Sequence, residues 1–253
     1  MLNQITFGND SGLPPLLIVH GLFGSARNWG AIARRMAEDR RVVSVDMRNH
    51  GESFWAASHS YADLAADLAG VIAAEGRAMD VVGHSMGGKA AMVLALTRGD
   101  LVNRLVVADI APVAYGHSLR PLVAAMRGLD LADLTTRGEA DRRLAASVAD
   151  AGTRAFLLQS LDLKSVPPRW RLNLEALDAV MPAVTGWPGT EGRFERPVLF
   201  LSGAASDYVR PEYRAAIKRL FPAAQMAKIP GAGHWLHAEK PREFEAALRA
   251  FLS

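Results

Sequence analysis

Five short runs along the chain are apolar almost without interruption. They are Leu16-Leu17-Ile18-Val19, Val42-Val43-Ser44-Val45, Met79-Asp80-Val81-Val82, Leu105-Val106-Val107-Ala108 and Val198-Leu199-Phe200-Leu201. A strand with one wet face alternates apolar and polar residues, whereas a strand covered on both faces does not, so these runs predict buried parallel strands. Ile5-Thr6-Phe7 and Met226-Ala227-Lys228-Ile229 are weaker strand signals. Helical spacing fills the gaps. Tyr61 to Gly76 follows Ser60, a residue suited to an N-cap, and carries Leu64, Leu68 and Ile72 on one face. Ser85 to Arg98 is Ala-rich and apolar nearly all round, as a buried helix is, with Gly99 placed to cap it. Pro241 to Leu252 opens on a proline and aligns Phe244, Leu248 and Phe251.

Alternating strands and helices predict an α/β fold with a mostly parallel sheet flanked by helices. The rhythm breaks between about Ala111 and Arg196, where only helical stretches stand out, such as Glu139 to Ala151 and Leu172 to Val180. The expected organisation is a core domain over 1–110 and 197–253, with 111–196 as a small helical cap insertion over the carboxyl edge of the sheet, where open α/β sheets bind ligands.

Composition narrows the function classes. The chain has 253 residues, half of them hydrophobic, and a net charge of only +3 with no basic run interleaved with aromatics, which argues against nucleic acid as a partner. Cysteine is absent, excluding disulfides, thiolate metal sites and a Cys nucleophile. The N-terminus lacks the pattern of a signal peptide, and no stretch reaches the roughly 20 apolar residues of a membrane span, so a cytoplasmic location is expected. The seven histidines show no metal-ligand spacing such as H-E-x-x-H, and no metal or cofactor is expected. A monomer or small homo-oligomer acting on a small molecule is the expected state.

The chemistry concentrates in Gly83-His84-Ser85-Met86-Gly87-Gly88-Lys89. Gly83 to Lys89 fits the G-x-x-x-x-G-K of a phosphate-binding P-loop, and Gly83 to Gly87 fits the G-x-S-x-G of a nucleophile elbow. The P-loop needs a hydroxyl at position 90, where Ala90 stands, and it usually follows the first strand. In the elbow, Gly83 and Gly87 let the strand and helix backbones close around a strained Ser85, and the Met86 N–H points to an oxyanion at a helix N-terminus. The loop His20-Gly21-Leu22-Phe23-Gly24 offers the Leu22 N–H as second oxyanion donor, with His20 a structural residue. His234, on a Gly-rich loop before the last helix, is the expected base; His237 more naturally supports that loop. Two carboxylates compete to orient the imidazole. Asp109 ends a strand, whereas Asp207 comes one residue later than the usual acid position, which Ser206 holds, so the spacing selects Asp109 with Asp207 as the alternative. Phe23, His84 and Trp235 adjoin these groups in sequence and are candidate pocket residues. Arg48, Asn49 and His50 are expected to brace a loop, His59 and His117 to be exposed, and Lys89 to form a structural salt bridge.

Taken together, "HGLFGS", "DMRNHGES", "GHSMGGKAAM", "DIAPVAY" and "GAGHWLHAEKP" resemble the α/β-hydrolase superfamily, and more narrowly the YbfF-type esterases and their abhydrolase-domain relatives. That resemblance implies a serine carboxylesterase or thioesterase with a helical cap and the acid at Asp109. It also implies that Trp170 and Asn173 lie near the pocket. The function expected is cleavage of carboxylic ester or thioester bonds through an acyl-enzyme on Ser85. The alternatives are acyl-CoA thioester cleavage as the main activity, a cofactor-free peroxidase on the same triad, a non-catalytic ligand-binding module, or, most remotely, a P-loop nucleotide hydrolase.

Overall fold

The structure, a computed structural model, describes residues 1–253. Its strands in chain order are β1 (Gln4–Phe7), β2 (Leu16–Val19), β3 (Val42–Val45), β4 (Met79–His84), β5 (Val102–Ala108), β6 (Leu161–Asp162), β7 (Arg169–Trp170), β8 (Val198–Gly203) and β9 (Ala224–Ile229). Seven of them form one sheet in the order β1-β3-β2-β4-β5-β8-β9. Only β1, at the edge, runs antiparallel to its neighbour; the other pairs are parallel. After β2 the chain moves outward to β3, then crosses back to β4 on the other side. The reversal opens a crevice at the carboxyl ends of β2 and β4, where such sheets accept ligands. The Leu22 loop and Ser85 both lie there.

The apolar runs form strands because both faces of the sheet are covered. Leu17, Val19, Val43 and Val107 belong to the cluster on one face, and Leu16, Ile18, Val42 and Val106 to that on the other. The helix Met86–Thr97 and the helix Tyr61–Glu75 cover the first face, and the helices Gly30–Met36 and Pro241–Leu252 the second. Ser60 caps Tyr61–Glu75 as its side chain accepts the Asp63 N–H, and Gly76 ends it in the left-handed region at φ 74°. No helix is long and apolar enough to cross a membrane.

Residues between β5 and β8 form five short helices and the two-stranded β6–β7 ladder. Val123, Met126, Leu157, Leu177 and Met181 from this segment join the same apolar cluster as the helix Met86–Thr97, so the insertion shares the core of the sheet. Three details depart from the sequence reading. The stretch expected as one helix from Glu139 to Ala151 is two, Arg137–Leu144 and Ala151–Leu157, because Asp150 turns out of the helix and accepts the Thr153 N–H at 2.6 Å as an N-cap. The β6–β7 ladder was not expected, since two-residue strands leave no periodicity to detect. At the end of Met86–Thr97 the capping residue is Arg98, and Gly99 starts a short 3-10 turn instead.

Candidate active site

β4 ends at His84 and the next helix begins at Met86, so the whole change of direction falls on Ser85. Its backbone sits at φ 52°, ψ −118°, a strained conformation for a residue with a side chain. Two glycines make the bend possible. A Cβ on Gly87 would lie 2.6 Å from the Val19 carbonyl oxygen, and one on Gly83 2.7 Å from the Gly87 carbonyl carbon. Ser85 is thereby lifted clear of both elements and is partly exposed in an otherwise buried segment.

His234 reaches Ser85 from the loop after β9. Its Nε2 lies 3.1 Å from Ser85 Oγ, and its Nδ1 lies 2.7 Å from Asp109 Oδ2. Asp109 follows β5, the neighbour of β4, and is fully buried. Its φ of 50° lies in the left-handed region, a strained backbone for a residue with a side chain. The Gly203 N–H donates to Asp109 Oδ1 at 3.0 Å, and Ser206 Oγ donates to Oδ2. Asp109 accepts on both oxygens, and because an ionised carboxylate can only accept, its contact with Nδ1 selects the Nδ1–H tautomer of His234 and leaves Nε2 as an acceptor facing the serine. Asp207 is elsewhere: its side chain is 90% exposed and lies 3.9 Å from Arg210. Tyr208, which sequence reasoning missed, stacks on the His234 ring at 4.0 Å and 20°. No periodicity or spacing marks a lone tyrosine in a loop.

Leu22 and Met86 both line a small cavity with Ser85. The Met86 N–H opens a helix and has no acceptor within it. The Phe23 N–H is taken by His50 Nε2 at 3.2 Å, whereas the Leu22 N–H donates to no protein group. Two histidines hold this loop. His20 accepts the Met47 N–H on Nε2 at 2.9 Å and donates from Nδ1 to the Gly21 carbonyl at 2.7 Å. His50 donates from Nδ1 to the Arg48 carbonyl at 2.9 Å. Arg48 pairs with Asp67 at 2.6 Å and Asn49 accepts the Ala56 N–H at 2.8 Å, so with His50 they brace the loop after β3, and His50 ties it to the Leu22 loop.

Other expectations change. His59 is buried at 2% exposure against Asn49 and the Met86 sulfur, not exposed on a loop. Lys89 has no carboxylate partner. It is 1% exposed, with Nζ donating to the carbonyls of Thr185, at 3.0 Å, and Gly186, and burial lowers its pKa to about 7. Lys89 is engaged by two backbone carbonyls and Asp109 by His234, so neither charged group that the P-loop reading needs is free. Of the candidate pocket residues, Phe23, His84 and Trp235 line a cavity of about 240 Å³ with Ser85 and His234. Trp170 does not. It packs inside the insertion, its indole N–H donating to the Met126 carbonyl at 2.8 Å. Asn173 caps the helix Leu174–Ala179 and donates to Asn49 at 3.0 Å. His117 is exposed, with its ring bonded to the Tyr208 hydroxyl at 2.9 Å.

His84 donates to the His234 carbonyl at 2.8 Å, and His237 stacks on Trp29 at 4.1 Å, so both support the His234 loop from below. Burial keeps several of these rings neutral. It lowers His59 to about 4 and His237 to about 3, and shifts His20, His50 and His84 the same way. Unfolded, the same rings titrate near 6.5. Between pH 6.5 and about 4 the unfolded chain therefore binds more protons than the folded one. Stability is complete above that window and falls with pH inside it, by about 1.4 kcal/mol per pH unit for each ring that stays neutral. Urea unfolding midpoints are expected to drop between pH 7.5 and 5.5, before carboxylates titrate. A flat midpoint would mean that these rings are solvated in the native state.

A parallel sheet with a strained serine between strand and helix, a histidine after the last strand and an acid after an adjacent one is the architecture of α/β hydrolases. A model of the alpha/beta hydrolase family matches residues 16–247, and the chain belongs to that family. It is 41% identical over 253 residues to sn-1-specific diacylglycerol lipase ABHD11 of Mus musculus, covering 96% of this chain and 82% of that one. It is 38% identical over 251 residues to esterase YbfF of Escherichia coli (strain K12), covering 98% and 96%. Among solved structures, a marine microorganism esterase superposes with a TM-score of 0.93 at 35% identity, covering 99% of this chain and 98% of that one.

Proposed function

We propose that this chain is a serine esterase that cleaves carboxylic esters through an acyl-enzyme on Ser85. The observation that carries the reading is the line of hydrogen bonds from Ser85 through His234 to Asp109. In the first step Ser85 Oγ attacks the ester carbonyl carbon while its proton passes to His234 Nε2. The carbonyl oxygen becomes an oxyanion held by the Leu22 and Met86 N–H groups. Asp109 stabilises the imidazolium. As the tetrahedral centre collapses, the C–O bond to the alcohol breaks and the alcohol takes the proton from Nε2. Water then attacks the acyl-enzyme by the same route, giving its proton to His234, and Ser85 regains a proton as the acid leaves. The names of two relatives, an esterase and a diacylglycerol lipase, agree with ester cleavage.

Labelling with a fluorophosphonate tests the reading. The wild type is expected to gain one phosphonyl group on the peptide containing Ser85 and to lose hydrolysis of p-nitrophenyl acetate in proportion. A Ser85→Ala protein should remain unlabelled. Hydrolysis that survives complete labelling would overturn the proposal.

A further inference from the structure

Two cavities meet at Ser85, and they differ in size and in what walls them. The larger, about 240 Å³, is bounded by His234, Trp235, Phe156, Leu157 and Leu122. The smaller, about 20 Å³, is bounded by Met86, Lys89, Ile110, Tyr61 and Tyr115. His234 lines only the larger; Met86 and Lys89, on the helix that Ser85 opens, line only the smaller. A space of about 20 Å³ holds little more than one water-sized sphere.

The chemistry assigns each cavity a part of the ester. The departing alcohol has to lie where His234 can protonate it, which is the larger cavity. The carbonyl oxygen lies between the Leu22 and Met86 N–H groups. The acyl chain, the remaining substituent on the carbonyl carbon, is left with the smaller cavity. Resting on the proposed function above, we infer that this enzyme selects esters of short acids, about acetyl in size, with bulky apolar alcohols, and that Lys89 sets the limit on the acyl side.

Lys89 is four residues beyond Ser85, about 6 Å along the helix, so its side chain rises from the same face one turn away. Its ammonium is tethered to the Thr185 and Gly186 carbonyls and lies 4.8 Å from the Tyr115 ring centre. The helix end that supplies those carbonyls is fixed by two further bonds. The Tyr61 hydroxyl donates to the Val184 carbonyl at 2.6 Å, and the Tyr115 N–H donates to the Thr185 carbonyl at 3.0 Å. An acyl chain longer than the cavity has to push a buried ammonium off both carbonyls without offering it a new acceptor, which is costly. On the other side Trp235, Phe156, Leu157 and Leu122 give a long alkyl group an apolar wall.

Octyl acetate and ethyl octanoate are isomers of equal size that exchange the long chain between the two cavities, and they test the assignment directly. The wild type is expected to hydrolyse octyl acetate with a kcat/KM at least about tenfold above that for ethyl octanoate. Lys89→Ala, which removes one wall of the small cavity, should narrow that ratio by about fivefold or more. Equal rates on the two esters, or faster cleavage of ethyl octanoate, would overturn the assignment in the wild type alone, whether or not the variant folds. A folded Lys89→Ala protein with an unchanged ratio would remove Lys89 from the argument. Fluorophosphonate labelling of the same preparations separates the two levels. Labelled Ser85 with no preference for octyl acetate defeats the acyl-size inference only, whereas cleavage of both esters without any labelled Ser85 defeats the serine esterase reading itself.

Discussion

Ser85→Ala and His234→Ala are each expected to lower kcat for p-nitrophenyl acetate by about 10⁵–10⁶-fold, and the double variant by no more than either alone. The reason is that the two side chains act as one unit. Without the imidazole 3.1 Å away, the hydroxyl has no acceptor for its proton at the moment of attack. Without the hydroxyl, the imidazole has nothing to activate but water held in no particular place. The residual rate in each case comes from the two backbone donors at Leu22 and Met86, which neither substitution removes. Steady-state kinetics on the three purified variants checks the prediction. Losses that multiply in the double variant would show that Ser85 and His234 act in separate steps.

Asp109→Asn is expected to lower kcat by about 10³–10⁴-fold, while Asp207→Asn leaves it within about twofold of wild type. An asparagine at 109 keeps the shape but has an amide that can donate to Nδ1. That stabilises the tautomer with its proton on Nε2, which then faces Ser85 as a donor and cannot accept the serine proton. The half-buried imidazolium also loses its counter-charge. Ser206 and the Gly203 N–H both donate to this carboxylate, so they hold the group in place but cannot replace it. Asp207 points into solvent and makes only a loose contact with Arg210. If Asp207→Asn were the more damaging change, the acid would have to be reassigned and the loop after β8 would have to move on substrate binding.

The parts of this molecule that could be read from sequence are those in which local pattern and tertiary need coincide. Leu16–Val19 is apolar at every position because both faces of β2 are covered, so its burial is written in its composition. Gly83 and Gly87 announce the bend at Ser85 because no side chain fits there. Asp109 could be preferred to Asp207 by position alone, since one residue of displacement along a loop redirects a short side chain. The misreadings share a different cause. Lys89 and His59 are polar residues whose partners come from distant segments: the carbonyls of 185 and 186 for one, Asn49 and Met86 for the other. Backbone carbonyls carry no sequence signature, so a buried lysine that binds them looks like one awaiting a carboxylate. The family resemblance puts Trp170 near the pocket, yet its indole is used to close the insertion on Met126. The stacking of Tyr208 on His234 depends on how two loops meet above β8 and β9, which neither loop encodes by itself.

The proposed nucleophile and base are separated by 149 positions of chain, with β5, β8 and β9 of the main sheet between them in sequence. During synthesis, the elbow leaves the ribosome long before its partner does. A nascent chain that has folded as far as β5 carries the serine without His234 beside it, and on the proposed mechanism it has no esterase activity to turn on its surroundings. Cutting the gene within the insertion should produce two fragments that are each inert, with turnover returning only when the second docks its strands alongside β5, which makes activity itself a readout of complete assembly.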